Sequence, residues 1–219
     1  MKTSTGRLSG RVLLAAALVA VPAPTYGQEP PAIVQPGAPG EPTRTLTADE
    51  AAALGPPSHV SADVRFMQGM IYHHAQALQM TDLLAIRTES EEMRLLARRI
   101  DVSQSAETEM MKRWLEARSE EVPDLEKRGA WPLDDQQLMP GMLTAQQMAE
   151  LSATAGEFFD RLFLEYMIVH HEGALAMLEQ LFLISGAGQE PQVFQFITHV
   201  DADQSMEIAR MGTMLLARR

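Results

Sequence analysis

The chain contains no cysteine in 219 residues. That excludes a disulfide framework and every thiolate metal site, and leaves soft-metal chemistry to methionine and histidine. Positive charge is also scarce: Lys+Arg number 18 against 29 Asp+Glu, a formal net charge of −11. Such a chain is a poor partner for nucleic acid or for an anionic membrane surface. The one long apolar run, "VLLAAALVAVPA" near the N-terminus, is too short to serve as a stable bilayer anchor. Alternating apolar and polar positions of the kind strands require are missing, so nothing suggests strands.

What is present begins with an export signal over residues 1–27. Lys2, Arg7 and Arg11 precede the apolar run, and the small-residue exit "PTYG" follows it. Cleavage after Gly27 or Ala23 is expected, and without cysteine there is no lipid attachment. The mature product is expected to be soluble, periplasmic or secreted, with no membrane attachment once the signal is gone. Removing 1–27 takes away three basic groups and no acidic one, so the mature balance is 15 − 29 = −14. Residues 28–45 are rich in proline and glycine, which suits a flexible linker. Residues 46–219 suffice for one domain.

That domain is written twice. Residues 63–84, "DVRFMQGMIYHHAQALQMTDLL", align without a gap to 160–181, "DRLFLEYMIVHHEGALAMLEQL". The identities are Asp63/Asp160, Phe66/Phe163, Met70/Met167, Ile71/Ile168, His73/His170, His74/His171, Ala77/Ala174, Leu78/Leu175, Met80/Met177 and Leu84/Leu181. A second block, 100–115 against 200–215, repeats at a shift of 100 instead of 97 and keeps Asp101/Asp201, Gln104/Gln204, Ser105/Ser205, Glu107/Glu207, Met111/Met211 and Leu115/Leu215. Each half is therefore one helical hairpin, about 61–118 and 157–218, with a crossover over 119–156.

Thr88 with Glu91 predicts a capping box for the second long helix, Thr144 with Gln147 one for a short crossover helix, and Pro191 opens the last helix. The expected fold is all-α: a ferritin-like four-helix bundle of two repeated hairpins, with a short extra helix in the crossover.

At about 100° per residue, Phe66, Met70, His73, Ala77, Met80 and Leu84 share a narrow stripe, with His74 flanking it. In the partner helix Ile100, Gln104, Glu107, Met111 and Leu115 share another, and Val200, Gln204, Glu207, Met211 and Leu215 repeat it. Glutamine, glutamate and imidazole thus fall on faces that must be buried. Burying them unpaired costs several kcal/mol, so they satisfy one another, hold water or bind something.

Two accounts follow. In the structural one, Glu107 pairs with His73 or His74 and Glu207 with His170 or His171, while the methionines, 15 in the chain, fill core space. In the metal account, Met70, His73, His74 and Met111 recur with Met167, His170, His171 and Met211 as a thioether and imidazole set suited to Cu(I); imidazole with carboxylate also holds Cu(II). Zinc and silver remain open as cargo, whereas calcium and magnesium want clustered oxygens. The loop "LMPGM" adds Met139 and Met142 around a Pro140-Gly141 turn. His59 and His199 stand outside the pattern as surface or boundary residues, and Trp114 and Trp131 as packing anchors.

At these motifs the chain resembles the family catalogued as Domain of Unknown Function 305. The matching elements are "MIYHHAQALQM", "QSAETEMM", "MPGMLTAQQMAEL", "FDRLFLEYMIVHHEGALAM" and "QSMEIARM", from about Asp63 to Leu216. The resemblance implies a ferritin-like bundle, usually exported in bacteria, in a family that includes CopM-like proteins associated with periplasmic copper binding. Carried over by motif, it implies Met70, His73, His74, Met111, Met139, Met142, Met167, His170, His171 and Met211 as ligands.

Three functions compete: a non-enzymatic copper binder, a ferritin-like metal-dependent oxidase, and a metal-free structural or partner-binding bundle. The oxidase needs a Glu from each of two helices plus Glu-x-x-His pairs. The second half supplies Glu165, Glu172 and Glu207, but the first has Gln68 and Ala75 at two of those places. Metal ions are the expected partner, and a homodimer is left open.

Overall fold

The computed structural model describes residues 32–36, 42–125 and 138–218. The expected export signal, much of the linker and Trp131 lie outside these residues. Four long helices dominate: α2 Ser61–Arg87, α3 Glu91–Glu116, α5 Gly156–Phe182 and α6 Pro191–Leu216. Ahead of them come β1 Ile33–Gln35, β2 Arg44–Leu46 and a short α1 Ala48–Ala53, and between the hairpins lies α4 Ala145–Ala153.

The all-α expectation holds for the bundle, with one departure. β1 and β2 pair antiparallel, Ile33 opposite Leu46. Three residues per strand are too few for an alternating pattern to be read. α1, also unforeseen, starts at a reciprocal capping box between Thr47 and Glu50.

Side-chain caps set the starts of α3, α4 and α6, whereas α2 and α5 begin at Val60 and Ala155 without one. Thr144 and Gln147 form the predicted box at α4, and Glu190 caps α6 with Pro191 in its first turn. The cap of α3 is Ser90, which accepts from Met93 N–H, in place of the expected Thr88. Thr88 instead closes α2, and its hydroxyl accepts from Ser90 N–H at 3.0 Å. The turn is thus two residues longer than a box at Thr88 would make it, and α3 starts two residues later. Thr144→Ala should cost about 1 kcal/mol in the denaturant midpoint; an unchanged midpoint would mean that α4 is held by its apolar contacts alone.

Packing divides the interior into two apolar clusters. One gathers Phe66, Met67 and Met70 of α2, Met111 and Leu115 of α3, Ala174 and Leu178 of α5, and Phe196 and Val200 of α6. The other gathers Met80 and Leu84 of α2, Met93 and Ile100 of α3, Phe163 and Met167 of α5, and Met211 of α6. The start of α2 therefore packs with the end of α5, so these two helices run antiparallel. The same division shows α3 ending in the first cluster while α5 begins in the second, so the crossover must travel the length of the bundle.

The crossover's described residues, up to 125 and from 138, meet the α2/α5 face. Gln68 Nε2 donates to the Glu121 carbonyl at 2.8 Å near the start of α2. Farther along, the Gln76 amide donates to the Leu143 carbonyl at 2.8 Å and accepts from Leu143 N–H at 2.6 Å. α4 then buries Leu151 in the second cluster, and Tyr166 O–H donates to Glu150 at 2.7 Å.

Candidate metal centre

Between the two apolar clusters each long helix places polar residues at the same level: His73 and His74 on α2, Gln104 and Glu107 on α3, His170 and His171 on α5, Gln204 and Glu207 on α6. All eight are buried. The repeat thus becomes a polar layer across the middle of an apolar bundle, related to itself by the pseudo-two-fold axis. Thioethers border it on both sides. Met70 and Met111 belong to one apolar cluster, Met167 and Met211 to the other. Met70 precedes His73 by three residues and Met167 precedes His170 by three, the spacing that stacks two side chains on one helix face.

His73 and His170 meet at the axis, ring centroids 3.9 Å apart. The flanking histidines take the carboxylates. His74 Nε2 lies 2.7 Å from Glu107 Oε2, and His171 Nε2 lies 2.8 Å from Glu207 Oε2. The choice left open by periodicity is therefore settled for His74 and His171. His73 Nε2 donates instead to the Pro140 carbonyl at 3.0 Å.

These bonds dictate the tautomers. A carbonyl or carboxylate only accepts, so Nε2 carries the proton in His73, His74 and His171. In the neutral rings Nδ1 is then a bare lone pair. The Nδ1 atoms of His73, His74 and His171, and both nitrogens of His170, are buried without a hydrogen-bond partner. A structural histidine would satisfy both ring nitrogens, since each buried polar atom left unpaired costs about 1–3 kcal/mol. Holding the outer N–H on a carboxylate or peptide carbonyl while the inner nitrogen stays free is how ligating imidazoles are oriented.

The turn that meets His73 is the "MPGM" segment. Met142 N–H donates to the Met139 carbonyl at 3.1 Å, and Gly141 has φ +77°, the backbone of a type II turn with proline second and glycine third. Its bed is Gly173 of α5, where a Cβ would lie 2.0 Å from the Pro140 oxygen. Gly173 and Gln76 are two-fold mates, at the same shift of 97 as the histidines. The repeat diverges there because one copy must clamp the crossover and the other must make room for it. Both residues were missed as site elements; the only signal is a helical glycine opposite a glutamine two residues after the repeated histidine pair.

Met142 is buried, and Met139 packs partly buried against the first cluster. Their sulfurs belong to the crossover rather than to the helix seam. His59 sits edge-on to Trp114, ring centroids 5.4 Å apart, and Trp114 is a buried anchor as expected. Among the described residues no three of His, Asp and Glu converge as a ready metal-binding group. The arrangement offers pairs: imidazole with imidazole at the axis, imidazole with carboxylate to either side.

Burial pushes the His73 imidazole down from 6.5 to about 3, helped by neighbouring His74 and opposed by the Pro140 carbonyl. His170 is driven well down too, by burial first and by the other three imidazoles. Both are neutral in the fold at pH 7. Because the folded state refuses a proton that the unfolded state accepts, stability is full above pH 6.5 and is lost as pH falls toward 3. For His73 alone the metal-free chain should lose about 2 kcal/mol between pH 6.5 and pH 5, before carboxylates titrate. Urea midpoints measured across that window check it, and a flat profile contradicts it.

A family model described as Domain of unknown function (DUF305) matches residues 63–215. The chain belongs to the DUF305 family. Solved structures agree in fold. A DUF305 fragment from Deinococcus radiodurans is 29% identical, with a TM-score of 0.63 over 73% of this chain and 98% of that one. A DUF305 protein from Streptomyces coelicolor is 28% identical, with a TM-score of 0.58 over 72% of this chain and 94% of that one. CopM in its Cu(I)-bound form is 25% identical, with a TM-score of 0.54 over 71% of this chain and 96% of that one, and CopM was also solved in a Cu(II)-bound form. No curated protein matches this DUF305 chain.

Proposed function

We propose that this DUF305 protein is an exported, non-enzymatic copper binder, with residues 1–27 as its signal, 28–45 as a linker and 46–219 as the binding domain. The observation that carries the reading is the set of buried ring nitrogens with no partner, in His170 and in three imidazoles, His73, His74 and His171, whose outer N–H groups are already held. His73 and His170 would supply the central donors, His74 and His171 the flanking ones. Glu107 and Glu207 orient the flanking rings. Met70, Met111, Met167 and Met211 supply thioethers from the adjoining layers, and Met139 and Met142 from the crossover. Cu(I) is the favoured cargo because it accepts few, soft donors, which suits paired imidazoles near thioethers better than a hard cation would. Silver(I) shares that preference. The Cu(I)- and Cu(II)-bound CopM structures support the same direction.

The metal-free bundle is the second reading, favoured by the two His–Glu pairs, which would stand without an ion. An oxidase with a carboxylate cage gains nothing from the layer, since Gln68 serves the crossover and two carboxylates in it are engaged by histidine. Thermal unfolding separates the first two readings. An ion bound only to the folded state raises stability by about 2.7 kcal/mol at 100 times its dissociation constant. The unfolding midpoint should therefore rise with Cu(I) or Ag(I), and an unchanged midpoint with both ions would favour the metal-free bundle.

A further inference from the structure

The two long faces of the bundle treat the imidazole layer differently. On the α2/α5 face the crossover closes it. The Pro140 carbonyl is bonded to His73, Leu143 is clamped by Gln76, and the Pro140-Gly141 backbone lies directly on Gly173. On the opposite face α3 and α6 leave a groove of about 660 Å³, and Glu107 lies on its wall together with His199, Asp203 and Met110. Glu107 also holds His74 at 2.7 Å. One carboxylate therefore reaches from the groove to the buried rings.

Its two-fold mate does not. Glu207 is absent from the groove wall, its side chain 2% exposed against 8% for Glu107. Arg99, itself half-exposed, places Nε 3.5 Å from Glu207 Oε1 on the outer side. At the shift of 100 that relates α3 to α6, the mate of Arg99 is His199. The two equivalent positions thus carry opposite chemistry. A guanidinium is a cation with no lone pair to offer and repels an incoming cation, whereas an imidazole nitrogen can donate a lone pair to a soft metal. Arg99 shares this groove wall with two more guanidiniums, and none of the three is paired with Glu107: Arg99 is turned onto Glu207, Arg98 is held by Glu91 at 2.9 Å, and Arg113 lies six residues on from Glu107, about 9 Å along the helix.

We infer that the ion enters from the α3/α6 face, passing His199 to Glu107 and on to His74, while Arg99 plugs the two-fold-related doorway at Glu207. This rests on the copper-binding reading above. The chief competitor is a hollow of about 250 Å³ on the crossover face, lined by Met139 and Met177. Two thioethers there invite Cu(I), but the Pro140 carbonyl and its bond to His73 stand between that hollow and the rings.

Loading kinetics test the route. Cu(I) is transferred anaerobically from a chromophoric chelator to the full mature chain and followed by stopped flow. His199→Arg should slow loading about 10-fold or more while leaving the equilibrium affinity within about 2-fold, because it puts a fixed cation on the path and none in the site. Arg99→His should open the second doorway and raise the rate about 2-fold by the same electrostatic logic. Met177→Leu should leave the rate unchanged. A wild-type rate for His199→Arg, or slowing by Met177→Leu, overturns the route even if copper binds. Failure of the wild-type chain to take Cu(I) from the chelator at any time removes the copper reading, and the route with it.

Discussion

Replacing His170 by leucine is expected to stabilise the metal-free chain by about 1–3 kcal/mol and to weaken Cu(I) binding roughly 100-fold or more. The two effects have one source. Both nitrogens of His170 are buried without a well-formed hydrogen bond, beside three other imidazoles, so the ring carries a desolvation cost that the nearby His73 carbonyl offsets only in part. Leucine has a similar volume and no polar atom, and apolar replacement of an unsatisfied buried group removes that cost. A histidine kept for the fold would behave oppositely, losing stability on the same change. Chemical denaturation of the wild type and His170→Leu, without metal and at pH 7.5, reads the sign directly. A loss of stability would return the layer to a structural role.

The second large effect is expected at Gly173. Glycine inside a helix costs about 1 kcal/mol relative to alanine, so propensity alone predicts that Gly173→Ala stabilises. Contact geometry predicts the reverse. The new methyl would lie 2.0 Å from the Pro140 oxygen and 2.5 Å from the Gly141 Cα, both backbone atoms of a turn that cannot rotate away as a side chain can. The turn must lift, which breaks the His73–Pro140 bond and strains the Gln76–Leu143 clamp. A net loss of about 2–3 kcal/mol follows from overpacking and the orphaned polar groups. Amide exchange at Leu143 should quicken in step. A stabilised variant with unchanged exchange would show that the crossover yields without cost and does not roof the histidines.

How far the site could be read from residues alone depends on the range of the interaction. The bundle was legible because a hairpin repeated at shifts of 97 and 100 carries its own helical period, and one apolar stripe per helix leaves few ways to pack. The burial of His73, His74, Glu107 and their mates followed from the same stripes. Which histidine meets the glutamate did not, because His73 and His74 both lie near the seam and only the rotation of α2 against α3 decides. The docking of Pro140 on Gly173 joins segments that no local pattern connects, and a helical glycine opposite a glutamine in the other repeat was its sole trace. The Arg99 and His199 asymmetry was visible as a mismatch at the shift of 100, but acquires meaning only once Glu207 is seen beneath the guanidinium. Ser90 displaced Thr88 as the α3 cap because both can serve and tertiary packing of α2 fixed where that helix stops.

The most direct test is an anaerobic competition titration of the mature chain at pH 7.5 with a chromophoric Cu(I) chelator. A buried layer of unpartnered imidazole nitrogens predicts that the protein draws Cu(I) from the chelator to a sharp stoichiometric endpoint, and that the His73→Ala, His170→Ala double variant, still helical by circular dichroism, does not. Copper remaining wholly on the chelator in the presence of excess folded wild-type protein would contradict it.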